Sequence, residues 1–172
     1  MKKHNGMRPL DIVVLLKITA LGQTEWKQKD LAYSLGISAS EVSESLSRSE
    51  LAGLIDEKKQ KVMARSLYEF LYHGFKYVYP QRPGAITVGM PTAISAPAFS
   101  SIVTGKDTFV WPDPDGTMRG QTIEPLYNTV PGACRKDQLL YELLALTDII
   151  RIGRVREVEA AGKELRKRLT IL

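Results

Sequence analysis

The chain has 172 residues, a formal net charge of +5, 25% charged and 44% hydrophobic residues. That composition excludes a largely disordered chain, and the single cysteine excludes an intrachain disulfide framework and fits a reducing compartment. His4, His73 and Cys134 are too scattered in sequence for a structural zinc site.

In chain order, Pro9 opens a first predicted helix, with Leu10, Val13, Val14 and Ile18 at helical spacing, a polar interruption at Lys17 and a stop at Gly22. The five-residue apolar run Ile12 to Leu16 is too short for a signal peptide or a membrane helix, so a cytoplasmic protein is expected. A second helix is predicted over Glu25 to Leu35, with Thr24 as N-cap, ended by Gly36. Ser38 opens a third helix, and Glu41 three residues later completes a capping box. Stepping 100° per residue from Val42 gathers Leu46 and Gly53 beside it and leaves Ser40, Ser43, Glu44, Ser47 and Arg48 on the outer half.

The stretch Lys29 to Ile55 therefore has helix-turn-helix spacing. Val42-Ser43, Leu46, Arg48 and Gly53-Leu54-Ile55 before a charged turn resemble the winged helix-turn-helix of bacterial transcription regulators of the MarR-like type, over about residues 8–73. The resemblance implies a two-stranded wing, Leu54-Ile55 with Val62-Met63, whose tip spans Asp56 to Lys61. Ser49 departs from it, standing where that family usually buries a leucine. On this reading Lys58, Lys59 and Lys61 meet phosphates or a groove edge, and Arg48 meets a phosphate or a guanine edge. Ser40, Ser43 and Ser47 make short-range base or phosphate contacts, and Glu44 accepts from a cytosine amine or repels the backbone. Ser38 caps the helix, whose positive end can approach a phosphate. The competing reading is a winged-helix fold used for protein contacts, its lysine turn a solvated loop.

Ala64 to His73 is predicted as a helix ending at Gly74, and Phe75 to Tyr79 as a short strand stopped by Pro80. Gln81 to Ser100 has five breakers and a single charge, and no phosphate-loop motif. It can wrap the core, line a pocket or meet a partner. Phe109 to Trp111 reads as a strand and Pro112 to Gly116 as a turn. No catalytic constellation and no metal or cofactor motif is legible. Cys134, beside Arg135 and Lys136, is either an oxidant-sensitive thiol or a small core residue. Arg135 to Arg151 is predicted as a broadly apolar helix. Beyond Gly153, the narrow seam Val155, Val158, Gly162, Leu165 and Leu169 suits either a dimer interface or packing within the chain.

Charge and breakers divide the chain unevenly. Residues 1–80 hold twelve Lys/Arg and nine Asp/Glu, 81–134 three and four, and 135–172 nine and six, while eight of nine prolines lie between Pro80 and Pro131. The expected architecture is mainly α with small β. It has a winged helix-turn-helix at 1–74, a proline- and glycine-rich α/β or β region with short strands at 75–134, and a helical dimerisation or partner region at 135–172. The expected function is a non-enzymatic, sequence-specific regulator, a repressor, that binds double-stranded DNA as a homodimer. Its rival is an antitoxin-like adaptor that binds a partner enzyme through the middle or C-terminal region.

Overall fold

The computed structural model describes residues 5–101 and 106–170. It is mixed α/β, mostly helical, with one small three-stranded sheet. Helices α1 (Pro9–Leu21), α2 (Gln28–Leu35) and α3 (Ala39–Leu51) come first, followed by a hairpin whose single bridge pairs Ile55 with Val62. α4 (Ala64–Glu69), a π-helical turn (Phe70–Gly74) and α5 (Phe75–Val78) run on without a break. Strands β1 (Ile86–Pro91), β2 (Phe109–Pro112) and β3 (Met118–Thr122) precede α6 (Val130–Cys134), α7 (Gln138–Ile152) and α8 (Val155–Arg168). No helix among the described residues is long and apolar enough to cross a membrane.

The helix expected from Pro9 is α1, and it is buried all round, from Leu10 to Ile18. A helix apolar on every face can only sit among other elements, and α1 lies between α2, α3 and α7. Its two internal charges face partners. Asp11 accepts two hydrogen bonds from the Arg48 guanidinium of α3, at 2.9 and 2.7 Å, and Lys17 Nζ lies 2.6 Å from Asp137 at the start of α7. The "polar interruption" is thus a buried ion pair.

Four local expectations are corrected. α2 begins at Gln28, not Glu25, because the Asp30 carboxylate accepts the Lys27 N–H at 2.8 Å and sets the helix start there, in place of Thr24. Phe75 to Tyr79 is helical rather than a strand, since Phe75 and Tyr79 meet at i,i+4, centroids 5.5 Å apart, while Tyr77 faces solvent. Gly74 does not end the preceding helix; the π turn carries the chain through it. The helix foreseen from Arg135 starts at Gln138, where the Asp137 side chain accepts the Leu140 N–H.

The sheet closes on itself. β1 pairs antiparallel with both neighbours (Met90 opposite Trp111, Val88 opposite Arg119), and β2 and β3 meet in a short parallel register. Gly89 permits that closure: a Cβ there would stand 2.0 Å from the Trp111 carbonyl oxygen. The expected strand at Phe109 to Trp111 is β2, and its side chains are buried. Beyond β1, Ala93, Ile94, Ala96 and Phe99 turn inward, so the breaker-rich stretch wraps over the core. At its centre the buried Asp148 of α7 accepts from Thr92 Oγ1 and Trp111 Nε1, both at 2.7 Å, and pairs with Arg151 at 2.9 Å. Arg151 also donates to the Glu124 carbonyl. Buried side chains of all three sequence regions form one continuous cluster.

Candidate nucleic-acid interface

The surface foreseen for DNA is built from α3 and the 54–63 hairpin. Gly36 ends α2 in the left-handed conformation, φ 66°, and Ile37 follows half-buried. Ser38 and Glu41 form the expected capping box: Ser38 Oγ accepts the Glu41 N–H at 3.1 Å, and Glu41 accepts the Ser38 N–H at 2.8 Å. Val42, Ser45, Leu46 and Ser49 form the buried face of α3. Ser40, Ser43, Glu44 and Ser47 are exposed together on the other side, and Ser38 is exposed at the helix start.

The hairpin is closed by Met63 N–H to the Leu54 carbonyl and Asp56 N–H to the Lys61 carbonyl, each 2.9 Å. At its tip the Asp56 carboxylate accepts the Gln60 and Lys61 N–H groups, and these bonds, with Lys58 and Lys61 nearby, hold it below the usual carboxylate range. Lys59 takes a left-handed φ of 55°, a conformation a β-carbon resists. Its ammonium then reaches Ser47 Oγ on α3 at 2.9 Å, which ties the tip to the serine face. Lys58 and Lys61 are exposed beside it.

Arg48 departs from expectation. Its side chain is 11% exposed and grips the fully buried Asp11, with Glu44 at 3.7 Å on its outer edge. The Nε–Nη2 edge of the guanidinium that would read a guanine or phosphate is engaged internally by Asp11, so Arg48 positions α3 on α1. Ser49 and Ser45 are buried one turn apart on the inner face of α3, and their hydroxyls have no hydrogen-bond partner among the described residues. Small side chains there suit close packing of α3 on the core; a leucine at the fully buried Ser49 would have to displace its neighbours.

Sequence reasoning did not foresee that the middle region reaches α3. Tyr127 donates to Glu41 at 2.5 Å, and Thr129 packs on Gly36. The Tyr127 hydroxyl is the main cause that holds the Glu41 carboxyl low, reinforced by the Ser38 N–H. A cleft of about 400 Å³ opens between Arg8, Glu41, Glu44, Arg48, Leu126 and Tyr127. Nothing local in the sequence around Tyr127 marks it. Asp11, by contrast, carried a signal: a lone acid in an apolar helix implies a buried partner.

Of the seam residues, Gly162, Leu165 and Leu169 are buried in the chain's own core and Val158 is half-buried, while Val155 is 75% exposed. Gly162 lies against Tyr72, where a Cβ would stand 2.3 Å from the ring. The seam packs within the chain. Cys134 is buried, and burial pushes its thiol well up, the opposite of an activated thiolate. No group of His, Cys, Asp and Glu side chains that would hold a metal occurs among the described residues. Comparison with protein-family models, curated proteins and solved structures finds no match.

Proposed function

We propose that the chain is a sequence-specific, double-stranded-DNA-binding transcriptional regulator, a repressor, with residues 8–73 acting as a winged helix-turn-helix. One observation carries the reading: the exposed serine face of α3 is continuous with a lysine-tipped hairpin through the Lys59–Ser47 contact. On this reading α3 enters the major groove. Ser40, Ser43 and Ser47 contact bases or phosphates, Glu44 accepts from a cytosine amine, and the Ser38 end of the helix approaches a phosphate. Lys58, Lys59 and Lys61 act as the wing's phosphate contacts. Arg48 holds the helix in register from behind. Promoter occupancy by such a protein excludes polymerase.

A homodimer on a palindromic site fits this mode of binding. With Gly162, Leu165 and Leu169 packed in cis, the two copies would meet through another surface, and Val155 is the one seam residue left free for it. A mobility shift on the gene's own upstream DNA across a salt series tests the function. Specific binding should weaken steeply with salt, and Lys58→Ala with Lys59→Ala should flatten the slope by about 2. Wild-type protein that binds no fragment more tightly than competitor DNA refutes the proposal. For the dimer, light scattering that gives a single 19.2 kDa species overturns it.

The charge balance favours one rival. Residues 25–63 hold six Lys/Arg against seven Asp/Glu, which suits an adaptor surface for a protein partner, of the antitoxin-like kind, at least as well as a polyanion. Co-purification with the product of an adjacent gene, with no duplex binding, would select that reading.

A further inference from the structure

The near-neutral charge of residues 25–63 raises the question of where a duplex would find its electrostatic attraction. We infer that the exposed face of α8, formed by Arg156, Lys163, Arg166 and Lys167, is a second phosphate-binding surface that extends duplex contact beyond the hairpin; this rests on the DNA-binding reading above. Residues 154–170 carry six Lys/Arg and three Asp/Glu. Stepping 100° per residue from Gly162 sets Val158, Ala161, Leu165 and Leu169 toward the core. Arg166, Lys163, Arg156 and Lys167 then fall on one outer arc, with Glu159 as its only acid, and all five are exposed.

The fold brings the C-terminal end of α8 to the hairpin. Leu169 and Thr170, just past the end of α8, line the same cleft of about 660 Å³ as Gln60, Lys61 and Val62. The C-terminal end of α8, which carries Arg166 and Lys167, therefore lies near the hairpin. Arg156 and Lys163 have no carboxylate within ion-pair distance among the described residues, and Lys167 has only the half-buried Glu164 at 3.5 Å. Arg166 lies over the Tyr68 ring, 6.0 Å from its centroid, which orients its guanidinium beside the helix that follows the hairpin. Arg168 is different: it pairs with Glu142 and Glu164 and belongs to the internal packing.

From Arg156 to Lys167 the arc spans about 16 Å of helix, the rise of roughly five base-pair steps along a duplex axis. The neighbouring aromatics do not offer themselves to unstacked bases. Tyr68 and Tyr72 stack on each other, centroids 5.5 Å apart and planes 8° apart, and Tyr72 sits under Gly162. A surface of cations without free rings matches a duplex backbone rather than a single strand.

The test compares salt slopes for wild type and for Lys163→Gln, Arg166→Gln, Lys167→Gln combined, on an upstream duplex and a scrambled one. The expected result is a slope lower by about 3, with affinity for both duplexes reduced by the same factor, because phosphate contacts carry no sequence. Glu159→Lys, a surface change that leaves Arg166 and Tyr68 in place, should raise the slope by about 1. Unchanged slopes in both variants overturn the inference, as does equal or tighter wild-type binding to a single-stranded RNA of the same length. The two proposals fail distinguishably. If the wild type binds no duplex at low salt, the DNA reading falls and this one with it. If it binds, and only Lys58→Ala with Lys59→Ala lowers the slope, this one falls alone.

Discussion

Arg48→Ala separates a phosphate contact from a positioning residue. Asp11 is fully buried, and Arg48 supplies its only cation among the described residues, through two hydrogen bonds of 2.9 and 2.7 Å. Truncation leaves the carboxylate in a dry helix interface with one remaining donor, the Arg8 N–H at 2.8 Å. Removing one partner of a buried pair costs about 3–5 kcal/mol, and the surviving amide bond argues for the lower end, about 3. Denaturant unfolding should show the midpoint fall at constant m. Asp11→Asn added to Arg48→Ala removes the stranded charge and should recover more than half of the loss. Arg48→Lys should rescue little, since an ammonium cannot make the bidentate contact. The reasoning is refuted if Arg48→Ala stays within about 1 kcal/mol of wild type while duplex binding weakens, for then the arginine faces DNA.

Other outcomes follow from neighbouring geometry. Ser45→Ala and Ser49→Ala each remove a buried hydroxyl without a partner and should stabilise the fold by about 0.5–2 kcal/mol in thermal or denaturant melts. Ser49→Leu, the residue of the resembled family, should overpack the buried face of α3 and cost about 1–3 kcal/mol. Cys134 should resist a thiol reagent in the native protein and react at once in denaturant, because it is buried and its thiol is pushed up. For Glu41 the pKa is lowered from 4.5, chiefly by Tyr127. Its stabilising contribution is therefore complete above pH 4.5 and is lost as pH falls through the lowered value. Tyr127→Phe should move the Glu41 titration back toward 4.5 in an NMR experiment.

The parts of the fold that local chemistry decides were legible. Ser38 and Glu41 announce a capping box, Gly36 a left-handed helix end, and Phe109 to Trp111 a strand; each is present. The misreadings came where tertiary contacts choose between two valid patterns. Aromatics at 75, 77 and 79 fit a strand by alternation and a helix by the i,i+4 pair Phe75–Tyr79, and burial of Phe75 against Phe70 chose the helix. Arg48 lies at the outer edge of its helical wheel, yet a long side chain can turn back, and only the position of Asp11 in space decides that it does. The seam on α8 was equally two-valued. Gly162 against Tyr72 shows which surface it meets, a contact between residues ninety positions apart that no local pattern encodes.

The same contacts explain how a nearly all-apolar helix gives α3 a defined orientation. Apolar packing alone is non-directional and leaves helices free to slide or rotate. α1 carries one charge near each end, and each meets a single partner on a different helix: Asp11 holds Arg48 of α3, and Lys17 holds Asp137, the N-cap of α7. A rotated or slipped α1 would bury both charges unpaired, at several kcal/mol each. The serine face of α3 is thereby fixed relative to α7, and α7 is fixed to the sheet through Asp148, Thr92 and Trp111. Tyr127 adds a second tie from the middle region directly to the α3 cap. A change at the sheet thus has two physical routes to α3, one through α7 and α1 and one through Tyr127, and loss of the Tyr127–Glu41 bond leaves the first intact.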